Sequence, residues 1–501
     1  MDALNRRDLL KGAAGVGAAA ALAGPAVLVR AAAAAAPPEY ALGFTTLRKE
    51  VRLDRLPVEG RLPDWLRGTL VRNGPGQFEV GQEKFNHWFD GLAMLHAFSF
   101  EKGRVAYANR YLRSSQYKAA REEGRIMFSE FATDPCRAIY NGTSAFYVQA
   151  PIPNANVHIE ALGRAFVAHT EIPLPVRFDP VTLRTLGVVG DQPPLGRLGT
   201  AHPHTDARRG DRFAYQIDFP PPSGYRVVAR RGNRADRVLA TIPAAKPGYM
   251  HSFGLTAKNV VIGEFPYRMD PLKILTDWKP VIENFEWDGS QAARLHVVPR
   301  AGGAVRTFEA PAFFAFHHVN AFERDGKLNL DTCAFPDPSV VQYLYLDRLR
   351  MGARNRTPTP TLTRHEIDLR TGKVRSRELS ETPVELPRID YARVNGRDYR
   401  TVYGVSFRDR RRSVFVDQIA KVDVKTGDAK VWREAGAYPG EPVFVPAPGS
   451  KSEDDGVVLS VVLDARAGRS YLLVLDARSF TEMARARVPH HIPFGFHGRV
   501  F

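Results

Sequence analysis

Five short histidine-bearing phrases are scattered from residue 200 almost to the end of this 501-residue chain: Thr200-Ala201-His202-Pro203-His204, His251-Ser252-Phe253-Gly254-Leu255, Phe316-His317-His318-Val319-Asn320, His490-His491-Ile492-Pro493 and Phe496-His497-Gly498. Imidazoles gathered from distant parts of a chain are the usual way to hold a transition metal. Cys136 and Cys333 are the only cysteines, so thiolate zinc chemistry is nearly excluded and no disulfide framework exists. Taken singly, each histidine has the ordinary reading of a hydrogen-bonded core or surface residue. No spacing matches a local metal motif such as H-E-x-x-H. Their number and dispersal are what point to a shared metal.

Dispersed ligands need a fold that returns the chain repeatedly to one place. A turn phrase recurs after apolar runs: Phe178-Asp179-Pro180-Val181-Thr182, Ile367-Asp368-Leu369-Arg370-Thr371-Gly372, Val422-Asp423-Val424-Lys425-Thr426-Gly427 and Leu475-Asp476-Ala477-Arg478-Ser479. Asp and Gly at these places suit tight turns between antiparallel strands. The last three recur at fifty-odd residues, the period of propeller blades. Runs such as 457–463 and 471–475 read as blade interiors. The expected fold is all-β: a seven-bladed β-propeller with long loops and a few short helices forming a cap over the axial site. The competing architecture is a pair of β-sandwiches with chance Asp-Gly turns. Helix is expected at 117–123. The segment Pro271–Phe285 carries an apolar stripe, interrupted at Pro280, that either packs on the core or dips into a membrane surface.

The N-terminus reads Asn5-Arg6-Arg7-Asp8-Leu9-Leu10-Lys11, a twin-arginine phrase, followed by an Ala/Gly-rich run containing Pro25 and small residues at 31–36. This predicts a Tat-type signal over 1–36 and a single domain over 37–501, exported to the periplasm or beyond. The competing reading, an uncleaved membrane helix, is weakened by Pro25 and the low transfer energy of Ala and Gly. The formal charge is +16; four basic and two acidic residues lie in the first 36, leaving +14. The arginines are dispersed and no basic run interleaves with aromatics, so no nucleic acid partner is expected. Attraction to anionic lipid headgroups is the alternative use of that charge.

The phrases resemble the carotenoid cleavage oxygenase family over nearly the whole mature chain. Arg72-Asn73-Gly74-Pro75-Gly76 and His87-Trp88-Phe89-Asp90-Gly91 are similar to its opening motifs, and the ligand-bearing phrases follow in order. The resemblance implies His202, His251, His317 and His497 as ligands of one Fe(II), with His204 and His318 as neighbours, although spacing alone leaves the choice within those two pairs open. It also implies Glu171, Glu385 and Glu441 behind the ligands. A carboxylate that accepts the free N–H of a metal-binding imidazole fixes its tautomer and ring angle. Phrases at 134–137, 247–256, 343–346 and 453–462 are similar to the animal-type branch, which includes β-carotene cleaving oxygenases and a retinoid isomerase; the Tat signal looks bacterial. Val157 is placed by the resemblance at the open coordination position. Phe89, Phe253, Phe316, Phe494 and Phe496 flank the ligand phrases and are candidates for the wall of an apolar tunnel.

The implied activity is a non-haem iron dioxygenase that splits a carbon–carbon double bond of a carotenoid or apocarotenoid into two carbonyl products. Its partners are dioxygen and an apolar polyene, and nicotinamide or flavin has no motif here. Three competing readings are a stilbene- or phenylpropanoid-cleaving relative, a non-oxidative retinoid isomerase, and a metal-free propeller that only binds. The stilbene reading calls for a Tyr and Lys pair; Tyr111 and Tyr117 are available, but 131–160 contains no lysine.

Overall fold

Three of the four Asp-led turns join the third and outermost strands of a four-stranded sheet, and the fourth, at Asp476, leads into the strand next to the edge of a six-stranded one. Asp368 links Thr361–Asp368 to Val374–Ser380, its Oδ1 accepting from the N–H groups of Arg370 and Thr371 at 2.9 Å each. Asp423 and Asp476 repeat this arrangement, and so does Asp179 with the N–H groups of Val181 and Thr182. These side chains replace backbone acceptors that a tight turn cannot supply, which is why the phrase recurs.

The computed structural model describes residues 37–134, 152–163, 165–190, 197–206, 208–219, 221–232, 234–273, 279–352, 356–411 and 414–501. The predicted signal segment, Cys136 and Trp278 lie outside the described residues. Seven antiparallel sheets of four to six strands form the blades of a propeller, and Pro37–Phe501 is one compact unit. Blade strands such as Gly456–Asp464 and Arg469–Asp476 are buried almost throughout, because both sheet faces pack on neighbouring blades.

Both chain ends close the ring. Val58–Gly60 pairs with Glu482–Arg487 as the outer strand of blade seven, and Gly498–Val500 pairs with Gly68–Gln77 as the innermost strand of blade one. Numbered from blade one, the innermost strands are Gly498–Val500, His158–Leu162, His204–Thr205, Gly254–Leu255, Phe314–Arg324, Glu385–Arg388 and the pair Ala437–Pro439 and Val443–Pro446. Most expected site residues lie in one of these strands or near its start; Glu171 is in the crossing from blade two to blade three, and Phe89 is in the 3-10 turn Trp88–Asp90.

The helix expected at 117–123 spans Ser115–Glu123, capped by Ser114 Oγ on the N–H of Tyr117 and ended by left-handed Gly124. Shorter helices occupy Ser339–Tyr343, Leu346–Leu349 and Tyr391–Val394. The stripe at Pro271–Phe285 is not one helix where described. Val281–Asn284 is a 3-10 turn, Phe285–Trp287 is a strand, and Ile282 and Phe285 pack in the core, while Leu272 is 63% exposed. Among the described residues no helix is long and apolar enough to cross a membrane.

Gly74 shows how tightly the closure is built. A Cβ there would meet the backbone of Gly495 at 2.3 Å, two residues before His497. Gly74→Ala is expected to destabilise the protein by about 1–3 kcal/mol, the usual cost of overpacking, and to lower bound metal. Thermal denaturation and metal analysis test this; an unchanged midpoint with full metal content would contradict the close approach.

Candidate metal centre

Four imidazoles meet on the propeller axis. One ligating nitrogen from each of His202, His251, His317 and His497 lies within 4.8 Å of all the others. The Nε2 atoms of His202 and His251 are 2.9 Å apart, and those of His317 and His497 are 3.2 Å apart. Local geometry aims each one. Thr200 Oγ1 accepts from the N–H of His202 and donates to the carbonyl of His251, tying two ligand loops together. His317 sits mid-strand, where the pairing register shifts between Ala315 and Asn320; a bulge of this kind re-aims a side chain that regular alternation would place elsewhere.

Three carboxylates fix the tautomers. His251 Nδ1–H donates to Glu171 Oε1 at 2.8 Å, His317 Nδ1–H to Glu385 Oε2 at 2.6 Å, and His497 Nδ1–H to Glu441 Oε1 at 2.7 Å. A carboxylate accepts only, so each of these rings carries its proton on Nδ1 and presents a bare Nε2 lone pair to the axis. The Nε2 atoms of His317 and His497 then face each other with no hydrogen between them, an arrangement that a cation satisfies. Two ligands at ~2.1 Å from one ion and at right angles are about 3.0 Å apart, which matches the observed spacings. The three carboxylates outnumber the two guanidiniums, Arg72 and Arg388, that face Glu441, so the surroundings of the four neutral imidazoles carry a net negative charge that favours a cation. Burial holds His251 below the usual imidazole range and His202 well below it, and brings His497 down to about 4, so all three are held in the neutral, ligating form.

The carboxylates are not equivalent. Glu171 Oε1 also accepts from Tyr249 Oη at 2.7 Å. Glu385 Oε2 accepts from the N–H of Leu386, a left-handed non-glycine residue (φ 48°), while its Oε1 is buried without a protein partner. Glu441 is fully buried and takes Arg72 Nη1 at 2.6 Å and the N–H of Gly498 at 2.8 Å. Burial alone would raise its pKa, but Arg388, His497 and Arg72 bring it down to about 2. Arg72 Nη2 also donates to the carbonyl of Phe496 at 2.9 Å. One guanidinium thus joins the closing strand, the last ligand loop and the innermost chain of blade seven. The neighbouring Asn73 carbonyl accepts from the N–H of Phe496, and its side chain donates to the carbonyl of Ala155, a second left-handed residue (φ 59°) just ahead of Val157.

An apolar cavity opens onto the cluster. Val157, Phe89, Phe316, Phe494 and Phe496 line it with His251, His317 and His497, and Val340 and Leu344 add wall from the short helical segment. Asn156 Nδ2 donates to the carbonyls of Phe89 and Gly91, which fixes Val157 beside the phenylalanine. Phe253 does not line the cavity. It is fully buried against His204 and Tyr215 inside the blade. His204 bonds Tyr391 Oη and the carbonyl of Phe253, and His318 bonds Ser252 Oγ, so within each adjacent pair it is the first histidine that joins the cluster. His490 and His491 lie elsewhere, near Tyr107 and Thr45. Sequence reasoning assigned no role to Tyr249 or to the Arg72 side chain, and passed over His158, whose ring lies 5.2 Å from that of His202. Tyr249 and Arg72 stand inside quoted motifs, which was the available signal; His158 carries none beyond adjacency to Val157.

The sequence model of the retinal pigment epithelial membrane protein family matches residues 44–500. The chain belongs to the carotenoid oxygenase family. Human β,β-carotene 15,15'-dioxygenase is 34% identical over 89% of this chain and 91% of its own length. The mitochondrial carotenoid-cleaving dioxygenase of Macaca fascicularis is 33% identical over 91% and 93%. The crystal structure of cobalt-substituted apocarotenoid oxygenase from Synechocystis superposes with a TM-score of 0.82 at 26% identity, covering 92% of this chain and 98% of that one. Residues 3–23 match the twin-arginine translocation signal.

The buried Arg72–Glu441 pair generates a test. Arg72→Met removes the nearest guanidinium from a carboxylate at 0% exposure, leaving only Arg388 at 3.8 Å, and is expected to cost about 3 kcal/mol. The double variant Arg72→Met/Glu441→Gln is expected to recover part of the stability but not full metal content. Urea denaturation with metal analysis reads both; a single variant as stable as the parent would contradict the charge account.

Proposed function

We propose that this protein is a non-haem Fe(II) dioxygenase that cleaves one carbon–carbon double bond of a carotenoid or apocarotenoid. The observation that carries the reading is an imidazole-only, carboxylate-backed cluster opening onto an almost wholly apolar cavity. The relatives named above as carotenoid-cleaving dioxygenases support it.

His202, His251, His317 and His497 are the proposed iron ligands, with Glu171, Glu385 and Glu441 holding three of their rings. Neutral imidazoles suit iron(II), and the outer carboxylates offset its buried charge. Iron(II), when bound, supplies the redox activation of dioxygen that zinc cannot. The residues of the chain do the rest. Trp88, Phe89, Phe316 and Phe496 exclude water and hold a flat polyene against the cluster, and position along that wall selects the double bond. Val157, small and apolar, narrows the space beside the cluster and limits how dioxygen can be oriented there. Overall, one dioxygen and one double bond give two carbonyl groups, so no reductant and no protein acid or base is consumed. The Tat signal is proposed to span 1–36 and to direct a folded, metal-loaded domain 37–501 to the periplasm or beyond, since that pathway carries folded cargo.

Iron-loaded protein given a carotenoid panel under 18O2 is expected to yield paired aldehydes or ketones, each with one labelled oxygen, by mass spectrometry. His251→Ala is expected to lose both bound iron and product. Unlabelled geometric isomers would instead establish an isomerase. Cleavage of a hydroxystilbene with no turnover of polyenes would establish the phenylpropanoid reading.

A further inference from the structure

A second cleft, sharing no residue with the metal-site cavity, lies where hairpin ends of blades three and four meet. It holds about 400 Å³ and is lined by Arg209, Arg230, Arg231, Arg234, Arg237 and Arg300. Three carboxylates answer these six guanidiniums. Asp211 takes Arg231 in a two-point contact at 2.6 and 2.9 Å, Asp236 takes Arg230 at 2.7 Å, and Asp206 takes Arg300. Among the described residues Arg209, Arg234 and Arg237 have no carboxylate partner. Arg237 donates only to the carbonyls of Ala301 and Arg300, at 3.2 and 3.1 Å.

A solvated arginine face fans its charges apart into water. This one has a built floor. Arg300 is only 10% exposed and stacks 4.5 Å above the buried ring of Phe213, and its Nε is buried without a partner. Like charges crowded around such a floor repel one another unless an anion sits among them. A single carboxylate would leave most of the excess uncompensated. A phosphate group carries up to two charges and several acceptor oxygens that match the guanidinium fork.

The cleft is also remote from the segment at 271–285. It lies at the Asp211 and Arg231 ends of the paired strands Asp211–Asp218 and Gly224–Arg231. The opposite ends lead to Phe219, whose ring meets that of Phe285. At ~3.3 Å per residue the two places are roughly 23 Å apart, so a basic cleft here is not part of any apolar contact made by that segment.

We propose that this cleft binds a phosphate group, either free or carried on an anionic lipid headgroup. The test uses the metal-loaded protein and a double variant, Arg209→Gln/Arg234→Gln. Both side chains are exposed and neither makes a side-chain hydrogen bond or ion pair among the described residues, so folding should be preserved; an unchanged thermal midpoint verifies this, and Arg237→Gln serves as an independent second variant. Inorganic phosphate binding is read by calorimetry. Lipid binding is read by co-sedimentation with phosphatidylglycerol/phosphatidylcholine vesicles against phosphatidylcholine alone. The expected result is one saturable site, weakened roughly tenfold in the double variant and by added salt. Variant-sensitive binding to phosphatidylglycerol vesicles assigns the phosphate to lipid; variant-sensitive binding of inorganic phosphate without vesicle binding assigns it to a free phosphate compound. If neither probe binds, or if binding of both is indifferent to the double variant and to Arg237→Gln, the proposal is overturned.

Discussion

The structure depends on the pairing of a carboxylate with the outer nitrogen of each of three axial imidazoles. Without Glu171, Glu385 and Glu441 the rings of His251, His317 and His497 could flip or exchange tautomer, and their lone pairs would not converge. With them, the apo cluster is a set of acceptors pressed together, a state that favours a divalent ion over an empty centre. Burial strengthens the effect, because in a medium of low dielectric both the unsatisfied lone pairs and the uncompensated carboxylates are costly.

Convergence of this kind requires a closed ring. Blade one supplies His497, blade three His202, blade four His251 and blade five His317, while blades six and seven supply Glu385 and Glu441 near the starts of their innermost strands. No local segment holds more than one histidine of the cluster, so the cluster is complete only when the last strand has paired with Gly68–Gln77. Arg72 makes closure and site the same event, since it lies opposite Gly498 in that pairing and grips both Glu441 and the carbonyl of Phe496. The two left-handed residues near the centre, Ala155 and Leu386, are strained positions that persist because Asn73 and Glu385 bond the backbone around them.

Much of this was legible in the chain. The Asp-led turns announced antiparallel hairpins at blade spacing, and each proved to join neighbouring strands towards the outside of a blade. The histidine phrases announced a metal, because so many imidazoles at such separations have few other joint uses. Choosing His202 over His204, and His317 over His318, was beyond spacing alone. In a strand adjacent residues face opposite sides, and the bulge at 315–320 overrides even that alternation. Phe253 was misplaced for a related reason: proximity in sequence to a ligand does not decide which face a ring takes. The role of Arg72 was hidden because its partners lie 369 and 424 residues away. Four members of the arginine cleft crowd into residues 230–237, but nothing local shows that Arg209 and Arg300 join them; only the packing of blades three and four does.

The central claim is that four imidazoles, and nothing else from the protein, hold one iron. Extended X-ray absorption at the iron edge of protein loaded with one equivalent of Fe(II) measures this directly. The account predicts a first shell of light atoms that includes four imidazole nitrogens, identified by their outer-ring scattering, and one imidazole fewer in any His→Ala variant that still retains iron. A shell containing sulfur, or one with two or fewer imidazoles in the parent protein, would contradict it.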